Sequence, residues 1–189
     1  MKLFWNPIMK VDHGLILAAG FGTRMGEIGK ILPKVMWPIF DKSLLELQVL
    51  FMREMGVKNI YINLHFQKEK ILDLAQNNPT FKGVNFLVEE SILGVGGAIH
   101  NLAREKKINY SGNLLILNAD QFCFFDKSIW EKAFELLESH ACSLFATKVL
   151  REHKYNETII DNRGYLERIC TENQGSGKFH LTYGGFGFI

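Results

Sequence analysis

The chain has 189 residues, 47% of them hydrophobic, and a formal net charge of +2. That length suits a single domain with a sizeable core, the near-neutral balance argues against a large nucleic-acid footprint, and no apolar run is long enough to span a membrane. Cys123, Cys142 and Cys170 lie far apart and show neither a zinc spacing nor a disulfide framework, so a reducing cytoplasm is the simplest setting.

In chain order, Met1-Lys2-Leu3-Phe4-Trp5-Asn6-Pro7 is too short and too interrupted for a signal peptide. Residues 1–12 read as an N-terminal extension. The apolar run from Gly14 to Ala19 predicts a buried first strand. Gly20-Phe21-Gly22-Thr23-Arg24-Met25-Gly26 follows and runs on to Leu32-Pro33-Lys34. A tight glycine turn at the end of a buried strand lets backbone N–H groups converge on an anion, and Arg24 and Lys34 add fixed positive charge.

Two commoner glycine motifs fail here. A Walker A loop needs G-x-x-x-x-G-K-[ST]; Gly29-Lys30 is present, but Arg24 stands at the first glycine position and Ile31 follows the lysine. A dinucleotide fingerprint opens directly into a helix. Here the third glycine falls one residue late, and Pro33 would break such a helix about ten residues in. The segment from Gly20 to Lys34 therefore reads as a long ordered loop with a functional role.

Further on, Ser43-Leu44-Leu45-Glu46 is a capping box that opens a helix through about Met55, with Gly56 ending it. Strands are predicted at Lys58–Asn63, Val84–Val88, Asn113–Leu117 and Cys142–Val149, and helices at Lys68–Gln76, Gly94–Arg104 and Lys127–Ser139. Short strands at Thr158–Asp161, Gly164–Ile169 and Gly185–Ile189 complete the pattern. This alternation predicts an α/β fold, a Rossmann-like three-layer sandwich on a mainly parallel sheet, occupying residues 1–189 as one domain.

Leu17-Ala18-Ala19-Gly20-Phe21-Gly22-Thr23-Arg24-Met25 with Leu32-Pro33-Lys34 resembles the L-A-A-G-x-G-T-R-[LM]-x(n)-P-K signature of the sugar nucleotidyltransferases, or nucleotide-sugar pyrophosphorylases. The likeness covers roughly Gly14 to Ile189. It implies transfer of a nucleotidyl group from a nucleoside triphosphate to a sugar 1-phosphate, giving an NDP-sugar and pyrophosphate for cell-envelope polysaccharide synthesis. It also implies Mg²⁺ as cofactor, with no nucleic-acid partner. Such transfers need alignment and charge compensation more than covalent help.

Carried over residue by residue, the resemblance makes Gly20, Gly22 and Thr23 the backbone that wraps the triphosphate. Arg24 meets the leaving phosphates, and Lys34 stands between the α-phosphate and the sugar phosphate. Ala18 and Ala19 pack the base or ribose. Glu90 accepts hydrogen bonds from base N–H groups, and Gly94 allows close backbone approach. Asn118-Ala119-Asp120, at the C-terminal end of an apolar strand, resembles the family's metal site, with Asp120 as Mg²⁺ ligand. Gln121 stands where the family more usually has a small or apolar residue. His65 reads as a structural or rim histidine.

The chain departs from the family where relatives carry an E-K-P triplet: the counterpart is Glu172-Asn173, without the lysine, and Lys178 is the candidate substitute. Tyr155-Asn156 stands where Tyr-Gly is usual. Similar enzymes continue some tens of residues past the equivalent of Gly185-Phe186-Gly187-Phe188, so the chain is expected to lack a C-terminal part. Its last segment is most similar to the small bacterial mannose-, heptose- or N-acetylmuramate-1-phosphate guanylyl- or uridylyltransferases. A non-catalytic nucleotide-binding relative, an enzyme acting on a non-sugar phosphate such as phosphocholine, and an NAD(P)-dependent oxidoreductase are the alternatives. The last is weakened by the glycine spacing and Pro33.

Overall fold

Continuous apolar runs such as Leu15-Ile16-Leu17 need a partner layer on both faces, and the fold supplies two. The computed structural model describes residues 10–105, 111–122, 125–171, 175 and 177–189. In chain order these form β1 (His13–Leu17), α1 (Gly26–Ile31), β2 (Pro38–Ile39), β3 (Lys42–Ser43), α2 (Leu44–Glu54), β4 (Asn59–Leu64), α3 (Lys68–Gln76) and β5 (Asn85–Val88). Then come α4 (Gly94–Glu105), β6 (Leu114–Asn118), α5 (Lys127–Glu135), β7 (Ser143–Leu150), β8 (Glu157–Ile160), β9 (Leu166–Cys170) and β10 (Phe179–Phe188).

Six strands make one sheet in the order β5-β4-β1-β6-β10-β7, while β2–β3 and β8–β9 are separate two-stranded pairs. β5, β4, β1 and β6 run parallel; β10 is antiparallel to both β6 and β7. Leu15, Tyr61, Leu87 and Ile116 pack against Ala98 and Leu102 of α4 on one face. Ile16, Ile62 and Leu117 join Val49 and Met52 of α2, Ile71 of α3 and Trp130 of α5 on the other. The expected three-layer sandwich with a mainly parallel sheet is thus the observed architecture.

Three expectations need correction. The segment from Gly20 to Lys34 is not all loop: it holds a 3-10 turn at Thr23–Met25 and the six-residue α1. A helix this short has no stability of its own. Its last carbonyls, orphans by geometry, are taken by side chains from the α3 region: Gln67 donates to the carbonyls of Gly29 and Lys30, at 3.1 and 2.8 Å, and the Lys70 ammonium donates to that of Ile31. Tertiary contacts, rather than local propensity, make it helical. The final strand is not a short piece at Gly185–Ile189 but ten residues, the longest described, inserted between β6 and β7. Its glycines hide the strand pattern, and its register against β7 shifts between Tyr183 and Gly187. The N-terminal extension also ends earlier than expected, because Val11 is fully buried in the core and its carbonyl accepts from the Lys58 N–H at 3.0 Å. Residues 1–9 lie outside the described residues.

The capping box forms as read. The Ser43 hydroxyl accepts from the Glu46 N–H at 3.2 Å, and the Ser43 N–H donates to the Glu46 carboxylate at 2.8 Å. Burial alone would raise the Glu46 carboxyl, but hydrogen bonds from Ser43 and Asn78 outweigh it and hold the group below its ordinary value. Ser43→Ala is expected to cost about 1 kcal/mol, which a thermal melt would read as a midpoint lower by about 2–4 °C for a domain of this size.

Candidate active site

The parallel strands β1, β4, β5 and β6 all end on the same edge of the sheet, where ligands of open α/β folds collect. Ala18 and Ala19 continue β1 and are buried. The chain then turns at Gly22, whose φ of 62° is a conformation few L-residues share. Gly20 and Thr23 are exposed on this turn. Arg24 sits in the middle of the 3-10 turn; its side chain lies outside what the structure describes.

Lys34 opens a second 3-10 turn, Lys34–Met36, anchored by the buried Val35. On the other side of β1, the Ala119 N–H extends the parallel ladder to the Leu17 carbonyl at 3.1 Å, and Ala119 is buried. Strand alternation then turns Asp120 outward. The result is that Lys34 and Asp120, far apart in sequence, meet: Nζ donates to Oδ2 at 2.7 Å. Their side chains remain 38% and 39% exposed. A pair this open is worth about 0–1 kcal/mol, so it is a weak brace for the fold.

Gln121, unexplained by sequence, has a clear place. Its carboxamide oxygen accepts from Asn118 Nδ2 at 2.9 Å, and its backbone carbonyl accepts from the buried Gln48 side chain at 2.6 Å. It lies directly over Gly185, where a β-carbon would overlap its carboxamide. Gly185 has φ +80°, so the irregularity in β10 makes the room Gln121 occupies beside Asp120. Also in β10, burial pushes the Tyr183 phenol up to about 12.

Of the base-side candidates, Gly94 is the exposed first residue of α4, and Glu90 is exposed just past β5. Its neighbour Glu89, which sequence reading passed over, is 3% exposed and accepts from Asn63 Nδ2 at 2.8 Å and from the Leu93 N–H at 3.2 Å. The signal was available: the in–out alternation of Leu87 and Val88 continues to Glu89 and Glu90. His65 is structural, its Nδ1 2.9 Å from the Glu89 carbonyl and its ring edge-on to Phe21. Lys178 lies over the Phe179 ring, 5.6 Å from its centre. Glu172-Asn173 lies outside the described residues.

The model of the family described as nucleotidyl transferase matches residues 13–170. The chain belongs to the nucleotidyl transferase family. Among its relatives, a D-glycero-alpha-D-manno-heptose 1-phosphate guanylyltransferase of Campylobacter jejuni is 30% identical over 174 residues, 92% of this chain and 73% of the relative. A putative mannose-1-phosphate guanyltransferase of Sulfolobus acidocaldarius is 26% identical over 157 residues, 82% of this chain. The alignment takes in only 42% of that relative's length. The crystal structure of HddC from Yersinia pseudotuberculosis complexed with GMP-PN superimposes with a TM-score of 0.76 at 25% identity, covering 95% of this chain and 76% of that one. No helix of the described residues is long and apolar enough to cross a membrane.

Proposed function

We propose that this nucleotidyl transferase moves a nucleotidyl group, preferentially guanylyl, from a nucleoside triphosphate to a sugar 1-phosphate. The Lys34–Asp120 pair carries the reading: it joins the phosphate loop after β1 to the carboxylate after β6 at the ligand-binding edge of the sheet. The names of the relatives support guanosine as the base and a manno-configured sugar as the acceptor. The free thiols of Cys142 and Cys170 are compatible with the cytoplasm as the setting.

In the reaction, an oxygen of the sugar phosphate attacks the α-phosphorus, the bond from that phosphorus to the β-bridging oxygen breaks, and pyrophosphate leaves with the electron pair. The turn at Gly20–Thr23 presents backbone N–H groups to the triphosphate. Lys34, on its anchored turn, exchanges Asp120 for phosphate oxygens and offsets the charge that builds at the α-phosphorus. In this reading the role of meeting the departing phosphates falls to Arg24. Among the described residues no cluster of three His, Cys, Asp or Glu side chains is positioned to hold a metal. The donor set fits Mg²⁺, which takes one or two carboxylates and completes its shell with phosphate and water. Asp120 would hold it, and when bound it supplies further neutralisation of the two phosphorylated anions.

The test is pyrophosphate release from each of the four common nucleoside triphosphates with Mg²⁺ and a panel of hexose and heptose 1-phosphates. The expected result is turnover with GTP and a manno-configured acceptor. Triphosphate binding without release in any combination would overturn the reading in favour of a non-catalytic nucleotide-binding role.

A further inference from the structure

Three strand ends are tied together by two buried side chains. The Ala18 N–H, just past β1, donates to Asn63 Oδ1 at 2.8 Å. Asn63, in β4, passes its own Nδ2 hydrogen to Glu89 Oε1 at 2.8 Å, and Glu89, just past β5, takes the Leu93 N–H on Oε2 at 3.2 Å. Asn63 and Glu89 are 4% and 3% exposed. Both oxygens of the carboxylate and both polar atoms of the amide are therefore in use. Burying a carboxylate whose hydrogen bonds come from an amide and a backbone N–H is costly. Once satisfied, though, such a network fixes one geometry in a low-dielectric interior.

What it fixes is the spacing between two parts of the candidate nucleotide site. Ala18 leads into the glycine turn of the phosphate loop, and Leu93 leads into Gly94 and α4 on the base side. We propose that Asn63 and Glu89 are a positioning pair that sets this spacing, so that affinity for the triphosphate depends on them while the chemical step does not. The proposal rests on the nucleotide-site reading above.

The pair's chemistry supplies its own control. In Glu89→Gln one of the two donors meets an NH₂ group instead of an oxygen. In Asn63→Asp two carboxylates face each other. In the double variant the new carboxylate at 63 accepts from the Ala18 N–H and from the new amide at 89, whose oxygen accepts from the Leu93 N–H. Every hydrogen bond returns, with the central one reversed.

Each single variant is expected to raise the triphosphate KM, and the Kd of a non-hydrolysable GTP analogue, about tenfold or more, with kcat and the sugar-phosphate KM changed by less than about threefold. The double variant is expected within about threefold of the parent in both. Amide hydrogen exchange gives a second readout: Ala18 and Leu93 should exchange faster in the singles and return to the parent rate in the double. The proposal is overturned if the singles bind as the parent does, if the loss falls on kcat alone, or if the double variant binds no better than the singles. A parent protein that binds the analogue but transfers nothing would sink the proposed reaction, while binding and exchange would still decide the role of the pair.

Discussion

Lys34→Ala and Asp120→Ala will each lower kcat by about a hundredfold or more and leave the thermal midpoint within about 4 °C of the parent. The kinetic half follows from what one well-placed charge contributes to transition-state stabilisation, about 10²–10³ in rate for a single donor. The stability half follows from the exposure of the pair, 38% and 39%, which limits its contribution to folding to about 1 kcal/mol at most. The two measurements pull apart the competing readings. A salt bridge that merely braces the turn at Lys34–Met36 would show its loss in the melt and not in turnover. Lys34→Arg is informative as well: it keeps the charge but replaces a compact ammonium with a planar fork, and it is expected to recover only part of the rate. Unchanged rates in both alanine variants would remove Lys34 and Asp120 from the chemistry.

Gly185→Ala will destabilise the protein by about 2 kcal/mol, or about 4–8 °C in the midpoint of a domain this size. Two costs add. A β-carbon at φ +80° costs about 1 kcal/mol in backbone strain. The same carbon displaces the Gln121 carboxamide, and because that group is the end of a flexible side chain it swings away, giving up its bond from Asn118 for about 1 kcal/mol more. A double-mutant cycle separates them: in a Gln121→Ala background only the backbone part should remain, so Gly185→Ala should then cost about half as much. Equal costs in the two backgrounds would show that Gln121 does not depend on the space at Gly185. Since Gln121 adjoins Asp120, Gly185→Ala should also reduce turnover beyond what the melt accounts for at the assay temperature.

What was legible in the sequence follows a physical division. Ser43–Glu46 is a local device whose residue types do their work within a few positions, and its capping box forms; the glycine turn does follow β1 and Asn118–Asp120 does stand at the end of β6. The α1 helix was not legible because its six residues are held by Gln67 and Lys70 from elsewhere. β10 was underread because the glycines that make room for Gln121 also erase strand alternation. Glu89 escapes a reading of the sequence because a buried carboxylate runs against the ordinary expectation for the residue type. Only the continued parity of β5, or the fold itself, distinguishes Glu89 from its exposed neighbour. Lys34 and Asp120 were each identified, but their direct contact depends on the Lys34–Met36 turn reaching across the end of β1, which no local pattern encodes.

The place of β10 between β6 and β7 bears on how the molecule is made. Among the described residues, β7 sits at the sheet edge and pairs in the sheet with β10 alone. On the ribosome, β5, β4, β1 and β6 emerge early enough to assemble among themselves, but β7 must wait, unpaired, until residues 179–188 have cleared the exit tunnel. A nascent chain therefore carries an incomplete sheet whose β6 edge is open through the synthesis of some sixty residues. Such an edge invites pairing with another chain. Strand β10 closes that edge and carries Gly185 in beneath Gln121, so the pairing that protects β6 and the seating of Gln121 beside Asp120 occur together.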